Sequence, residues 1–165
     1  MTNVTADLSG ITIPLLDGNR ISTDDFKGKV VLYVNVASKC GFTPQYEALE
    51  AMHRKYADRG LVIVGFPTDQ FKQELGNEGE IAEFCKLHYD VTFALSQKTW
   101  VNGKLRHPLF EKLTKAKDSL GISGPVMWNF EKFLALPNGE LRRFRSVTKP
   151  DDKAIINLIE QNLPN

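Results

Sequence analysis

The stretch Val30-Val-Leu-Tyr-Val-Asn-Val-Ala-Ser-Lys-Cys-Gly-Phe-Thr-Pro44 constrains the fold more than any other. It opens on an unbroken run, Val30 to Val36, dominated by β-branched residues. Such a run reads as a strand buried on both faces, as in a parallel sheet. Small and polar residues follow, Ala37 to Lys39, and then Cys40-Gly41. Thr43 is placed to serve as an N-cap, and Pro44 suits a first helical position. Leu49, Met52 and Tyr56 then recur at helical spacing up to Gly60, a natural helix stop. A cysteine therefore sits where a buried strand hands over to a helix.

That location has chemical consequences. A helix N-terminus carries partial positive charge and unpaired N–H groups, which favour a thiolate over a thiol. Lys39 adds a neighbouring cation. The alternative is that Cys40 is a small buried hydrophobe. A polar turn beside Lys and Gly is a poor place to bury a side chain, so the reading here is a reactive, accessible thiol.

The chain has 165 residues, enough for one domain with a real core. A net charge of +1 argues against a dedicated nucleic-acid binder. The segment Met1-Thr-Asn-Val-Thr-Ala-Asp-Leu8 has neither the basic nor the apolar part of a signal peptide. No apolar run approaches membrane-spanning length. A cytoplasmic location is expected. Two cysteines, Cys40 and Cys85, and three scattered histidines show no zinc-ligand spacing, so no metal or other cofactor is expected. In a reducing compartment the two cysteines read as catalytic rather than as a permanent staple.

Along the chain, Ile11–Leu16 and Arg20-Ile21 flank Asp17-Gly18-Asn19, a hairpin signal. Thr23–Gly28 reads as a short turn. The strand at Val30, a helix over 44–59 and a second apolar run, Leu61 to Phe66, make a βαβ unit with parallel strands. A polar loop from Pro67 to Gly76 then leaves the sheet edge that carries Cys40. Glu80–Tyr89 is a helix with Ile81, Phe84, Cys85 and His88 on one face. Thr92–Leu95 and Thr99–Val101 are short extended candidates, and Leu109–Ala116 a helix. Asn129–Leu136 and Glu140–Phe144, around Pro137-Asn-Gly139, form a second hairpin. Pro150 begins the last helix, with Ile155, Leu158 and Ile159 inward. The expected class is α/β: a thioredoxin-like fold whose mixed central sheet is flanked by helices, with an added N-terminal β-hairpin.

Gln70 and Gln73 lie on the loop at the Cys40 edge. Trp128-Asn129 joins them if its strand runs antiparallel to the Val30 strand. Neutral donors of this kind suit a nucleophile whose target releases an oxygen anion. On its residues alone, Trp128 reads as a core aromatic. Cys85, on an apolar helical face, reads as plain core.

Three blocks alter those readings: Asn35-Val-Ala-Ser-Lys-Cys40-Gly-Phe-Thr, Gly65-Phe-Pro-Thr-Asp-Gln-Phe-Lys-Gln-Glu74 and Trp128-Asn-Phe-Glu-Lys-Phe-Leu134. They resemble the signature blocks of glutathione peroxidases, with Glu80–Cys85 and Val101-Asn-Gly103 as intervening landmarks. The resemblance covers nearly the whole chain. It implies that Cys40 is the peroxidatic residue, that Gln73, Trp128 and Asn129 are its catalytic partners, and that Cys85 is the resolving cysteine of the thioredoxin-dependent, two-cysteine branch. The second block departs from the family pattern. Thr68 stands where many members have Cys, Asp69 where Asn is usual and Leu75 where Pro is usual. One residue is missing between Phe71 and Gln73, which leaves Gln70 as the alternative glutamine.

The implied activity is a thiol peroxidase. Cys40 becomes a sulfenic acid on hydrogen peroxide or an organic hydroperoxide, condenses with Cys85 to a disulfide, and is regenerated by thioredoxin. Bridging requires Cα atoms within about 7 Å, so a Cys85 held farther off needs its helix to unwind. Glutathione is a possible reductant, although no basic cluster is evidently placed to hold it; Arg142, Arg143 and Arg145 read equally well as a solvated strand edge. Tetrameric members of the family carry a longer assembly loop about where His107 connects to Trp128, so the resemblance, with this connection short, implies a monomer. The competing reading is a peroxide sensor that relays oxidation to a partner protein.

Overall fold

The computed structural model describes residues 4–164; Met1–Asn3, at the head of the segment read for a signal peptide, lie outside the described residues. Among the described residues, eight strands and four α-helices follow in chain order: β1 Val4–Thr5, β2 Thr12–Pro14, β3 Arg20–Ser22, β4 Val30–Val36, α1 Gln45–Tyr56, β5 Leu61–Pro67, α2 Glu78–Tyr89, β6 Ala94–Leu95, α3 Pro108–Leu113, β7 Lys132–Ala135, β8 Glu140–Phe144 and α4 Lys153–Asn162. Single 3₁₀ turns cover Thr23–Phe26 and Ala57–Arg59.

β4 is central because every residue in it is buried. Hydrophobic side chains on both faces demand cover on both faces. The main sheet runs β1-β8-β7-β4-β5-β6. β4 pairs parallel with β5 from Val30↔Leu61 to Val36↔Pro67, and antiparallel with β7 from Val31↔Ala135 to Val34↔Lys132. Leu32, Val34 and Val36 pack with Tyr46 and Leu49 of α1, Ile81 and Cys85 of α2, and Ile155 and Ile159 of α4. Val31 and Tyr33, on the opposite face, pack with Leu109, Phe110 and Leu113 of α3 and with Ile11, Ile13 and Leu15 of the N-terminal hairpin. That hairpin is a separate two-stranded sheet with Ile13 opposite Ile21.

Several boundaries differ from the sequence reading. Thr99–Val101 is not a strand; Gln70 instead takes up the backbone groups of 101 and 102. The β7 strand begins at Lys132 rather than Asn129, because residues 128–131 are held by the side chain of Asn35 instead of a ladder. The last helix begins at Lys153, capped by the Asp152 carboxylate on the Ala154 N–H, and not at Pro150. A two-residue strand, β1, pairs with β8 where no element was expected. Among the described residues, no helix is long and apolar enough to cross a membrane.

Gly60 closes the first helical unit in the left-handed region, at φ +107°, and its N–H returns to the Ala57 carbonyl. A Cβ there would lie 2.5 Å from Cγ of Pro164. Gly60→Ala therefore combines an unfavourable φ with a collision. The expected loss is about 1–3 kcal/mol, seen as a lower urea midpoint; an unchanged midpoint would show that the chain end at Pro164 is not seated here.

Candidate active site

The parallel register of β4 and β5 brings their carboxyl ends to one edge, and the antiparallel β7 starts at the same edge. The segments 37–43, 68–76 and 124–131 meet there.

Cys40 is held by a compact knot. Thr43 Oγ1 accepts the Cys40 N–H at 2.9 Å and donates to the Ala37 carbonyl at 2.9 Å, while the Thr43 N–H donates to the Cys40 carbonyl at 3.0 Å. Thr43 was expected to cap the helix. Its hydroxyl instead turns back to the cysteine loop, and α1 begins after Pro44 without a side-chain cap. The first turn closes with short-range bonds, Gln45 N–H to the Phe42 carbonyl and Tyr46 N–H to the Thr43 carbonyl. The Cys40 sulfur receives the Phe42 N–H at 3.4 Å. The residue is only 7% exposed, which corrects the expectation of an open, polar turn. Phe42 and the knot shelter it.

Gln73 reaches the same place. Its backbone carbonyl accepts the Lys39 N–H at 2.8 Å, and its Oε1 accepts Asn129 Nδ2 at 3.4 Å. Lys72, just before it, adopts φ +62°, a turn conformation that few side chains favour. Gln70 is committed elsewhere. Its Oε1 accepts the N–H groups of Val101 and Asn102, at 2.6 and 2.9 Å, and its Nε2 donates to the Asn102 carbonyl at 3.0 Å.

Asn129 is fully buried, and its Oδ1 has no hydrogen-bond partner among the described residues. Trp128 is 36% exposed and tilts against Phe71 with ring centroids 5.5 Å apart. This overturns the core-aromatic reading: the ring stands at the site edge.

The residue that places both was given no role from sequence. Asn35 Nδ2 donates to the Trp128 carbonyl at 2.9 Å, its Oδ1 accepts the Glu131 N–H at 3.0 Å, and its carbonyl accepts the Phe130 N–H at 2.6 Å. Phe130 is held at φ +63°, strained for a bulky residue. A signal was present, since an amide inside an apolar buried run must have partners.

A second hold comes from β8. Arg143, fully buried, donates to the carbonyls of Thr114, Ala116, Gly124 and Pro125 and to Glu131. Glu131 Oε2 accepts the Met127 N–H at 2.5 Å. Arg145 pairs with Asp118 and Glu131, and Arg142 with Glu140. Arg143 and Arg145 thus frame the Trp128 loop from within, whereas Arg142 pairs along its own strand with Glu140 and stays partly exposed.

Cys85 lies in α2, 2% exposed, in the same apolar cluster as Cys40. Both thiols are free. Burial pushes the Cys85 thiol up to about 11. The nearby Tyr46 hydroxyl opposes that shift and the Glu74 carboxylate adds to it. Tyr46 acts on the sulfur without a hydrogen bond of regular geometry. Burial thus favours the protonated thiol at Cys85.

Residues 9–114 match the family described as glutathione peroxidase. The chain is 45% identical over 152 residues to the hydroperoxy fatty acid reductase gpx1 of Synechocystis sp., covering 88% of this chain and 90% of that protein. Its fold superposes on the crystal structure of Trgpx in apo form with a TM-score of 0.71 at 35% identity, covering 96% of this chain and 99% of the other. A thioredoxin family protein from Chlorobium tepidum shares the fold alone, with a TM-score of 0.65 at 15% identity over 99% of this chain and all of that one.

Asn35→Ala removes two side-chain bonds and leaves the Trp128 carbonyl and the buried Glu131 N–H without them. The expected loss is about 2–4 kcal/mol in urea unfolding, with Trp128 fluorescence altered before global unfolding. Wild-type stability in the variant would contradict the tethering role.

Proposed function

The chain belongs to the glutathione peroxidase family, and we propose that its described edge reduces hydroperoxides through a Cys40 and Cys85 cycle. The observation that carries this reading is the joining of three segments at one edge: Lys39 N–H, one residue before Cys40, on the Gln73 carbonyl, and Asn129 Nδ2 on Gln73 Oε1.

The Cys40 sulfur attacks a peroxide oxygen. The O–O bond breaks, Cys40 becomes a sulfenic acid, and the departing oxygen takes a proton and leaves as water or alcohol. The amides of Gln73 and Asn129 and the Trp128 indole N–H are neutral donors, suited to a developing oxyanion without pairing off its charge. Gln73 is the glutamine in this scheme, because both ends of Gln70 already serve residues 101 and 102.

An apolar cavity of about 510 Å³ opens beside Trp128, lined in part by Phe42, Ile122, Pro125, Met127 and Val147. It suits the hydrocarbon part of an organic hydroperoxide. The name of the cyanobacterial relative, a hydroperoxy fatty acid reductase, supports the same substrate class.

Cys85 then resolves the sulfenic acid as a disulfide, which thioredoxin reduces by exchange. Two observations favour a protein dithiol over glutathione. A second thiol shares the apolar cluster with Cys40, and two of the three nearby arginines, Arg143 and Arg145, are engaged by Glu131 and Asp118.

The test is a coupled peroxidase assay with thioredoxin or glutathione as donor. Cys40→Ser is expected to be inactive with either. Cys85→Ser should react once with peroxide and lose thioredoxin-supported turnover. Gln73→Ala should slow the peroxide step by about 10²-fold, whereas Gln70→Ala should mainly lower stability. Full thioredoxin-supported activity in Cys85→Ser would refute the resolving role, and a larger peroxide-step defect in Gln70→Ala than in Gln73→Ala would reverse the glutamine assignment.

A further inference from the structure

Glu74 is a carboxylate where a carboxylate is costly. It is 5% exposed, and burial raises its proton affinity above the ordinary carboxylate range. One oxygen is fully used: Oε1 accepts the Ser38 N–H at 3.1 Å and the Leu75 N–H at 2.8 Å. The other, Oε2, is buried without a hydrogen bond of regular geometry among the described residues, as is the neighbouring Ser38 hydroxyl, which acts on the carboxylate and opposes the effect of burial. Such groups call for an explanation.

Its position supplies one. Ser38 lies two residues before Cys40, and Glu74 directly follows Gln73. With the Lys39 N–H on the Gln73 carbonyl at 2.8 Å, two consecutive bonds clasp 38–39 to 73–74. The segment beyond leads into α2. Lys98 Nζ holds it through the carbonyls of Leu75 and Gly76, and Asn77 caps the helix that carries Cys85. The clasp therefore sits between the loop of one cysteine and the helix of the other. Tyr46 from α1, Cys85 from α2 and Lys98 are the titratable groups that act on or are acted on by Glu74.

We infer that Glu74 is a positioning residue that couples the two half-reactions: it clasps the Cys40 loop to Gln73 while the thiol awaits peroxide, and its release from Ser38 frees the segment leading to Cys85. The inference rests on the cycle proposed above and names how that cycle changes state. A half-satisfied buried carboxylate makes a clasp that holds and also opens, since opening returns a stranded oxygen to water. Once the clasp is open, Cys85 gives up its proton and its sulfur attacks the sulfur of the Cys40 sulfenic acid. The S–S bond forms as the S–O bond breaks, and the hydroxyl leaves with that proton as water. The peroxide already consumed is the oxidant.

Single-turnover experiments on the reduced protein separate the two steps. Sulfenic acid formation is followed with peroxide varied, and disulfide formation by quenched alkylation and mass spectrometry. In Glu74→Ala the peroxide step is expected to slow about tenfold and the disulfide step to quicken about tenfold, since two bonds to a charged acceptor are lost. Glu74→Gln, which keeps an acceptor for the Ser38 N–H, should recover most of the peroxide step. Both steps slowing together in Glu74→Ala, or neither changing, would overturn the inference. A second measurement needs no Glu74 variant. In the wild-type protein the Ser38 amide should exchange with solvent at least about tenfold faster in the disulfide form than in the reduced form; equal protection in the two forms overturns the clasp. If peroxide yields no Cys40–Cys85 disulfide in the wild type, the cycle itself fails. The clasp is then judged by alkylation of Cys85 in Cys40→Ser, which Glu74→Ala must accelerate.

Discussion

The structure depends on β4 being hydrogen-bonded on both sides by strands of opposite sense. A parallel neighbour brings a second loop to the carboxyl end, and an antiparallel neighbour brings the start of a third segment to that same end. Three loops distant in sequence converge because of register, before any side chain at the site contributes. Asn35 completes the convergence from within the strand. A polar side chain in an otherwise apolar run is costly unless satisfied, and here it is satisfied only by the backbone of residues 128 and 131. The requirement for partners thereby becomes a positional constraint on Trp128 and Asn129.

The second constraint on that loop is ionic. Glu131 and Arg143 are almost wholly removed from water, where an ion pair gains little net stability but breaking it costs about 3–5 kcal/mol. Arg143 also stacks over Phe133, 4.8 Å from the ring centroid. A flexible apolar packing could fill the same volume, but it would not direct five donors at named carbonyl and carboxylate oxygens. Lys132 acts similarly on the other face. It is fully buried, burial lowers its ammonium to about 7, and its Nζ donates to the carbonyls of Ser146 and Thr148. The loop carrying Val147, which walls the apolar cavity, is fixed in this way.

The sheet and its flanking helices were legible because their signals are local and strong: the Val30 and Leu61 runs, the spacing in α1 and α2, and the Asp17-Gly18 turn. Where the reading failed, a distant partner decided the outcome. Thr43 had every local mark of a cap, yet the Ala37 carbonyl and Cys40 N–H lay closer to its hydroxyl. Trp128 resembled core because aromatic residues usually are, and nothing local revealed that Asn35 holds its backbone at the rim. Arg143 looked solvated on an alternating strand, because the acid that buries it, Glu131, belongs to the neighbouring strand's approach. Glu74 was legible only as part of a motif; its work depends on where Ser38 falls.

Among the described residues, the two outermost strands of the main sheet, β1 and β6, are each two residues long. A border this short limits the number of peptide groups through which another chain could add a strand to the sheet.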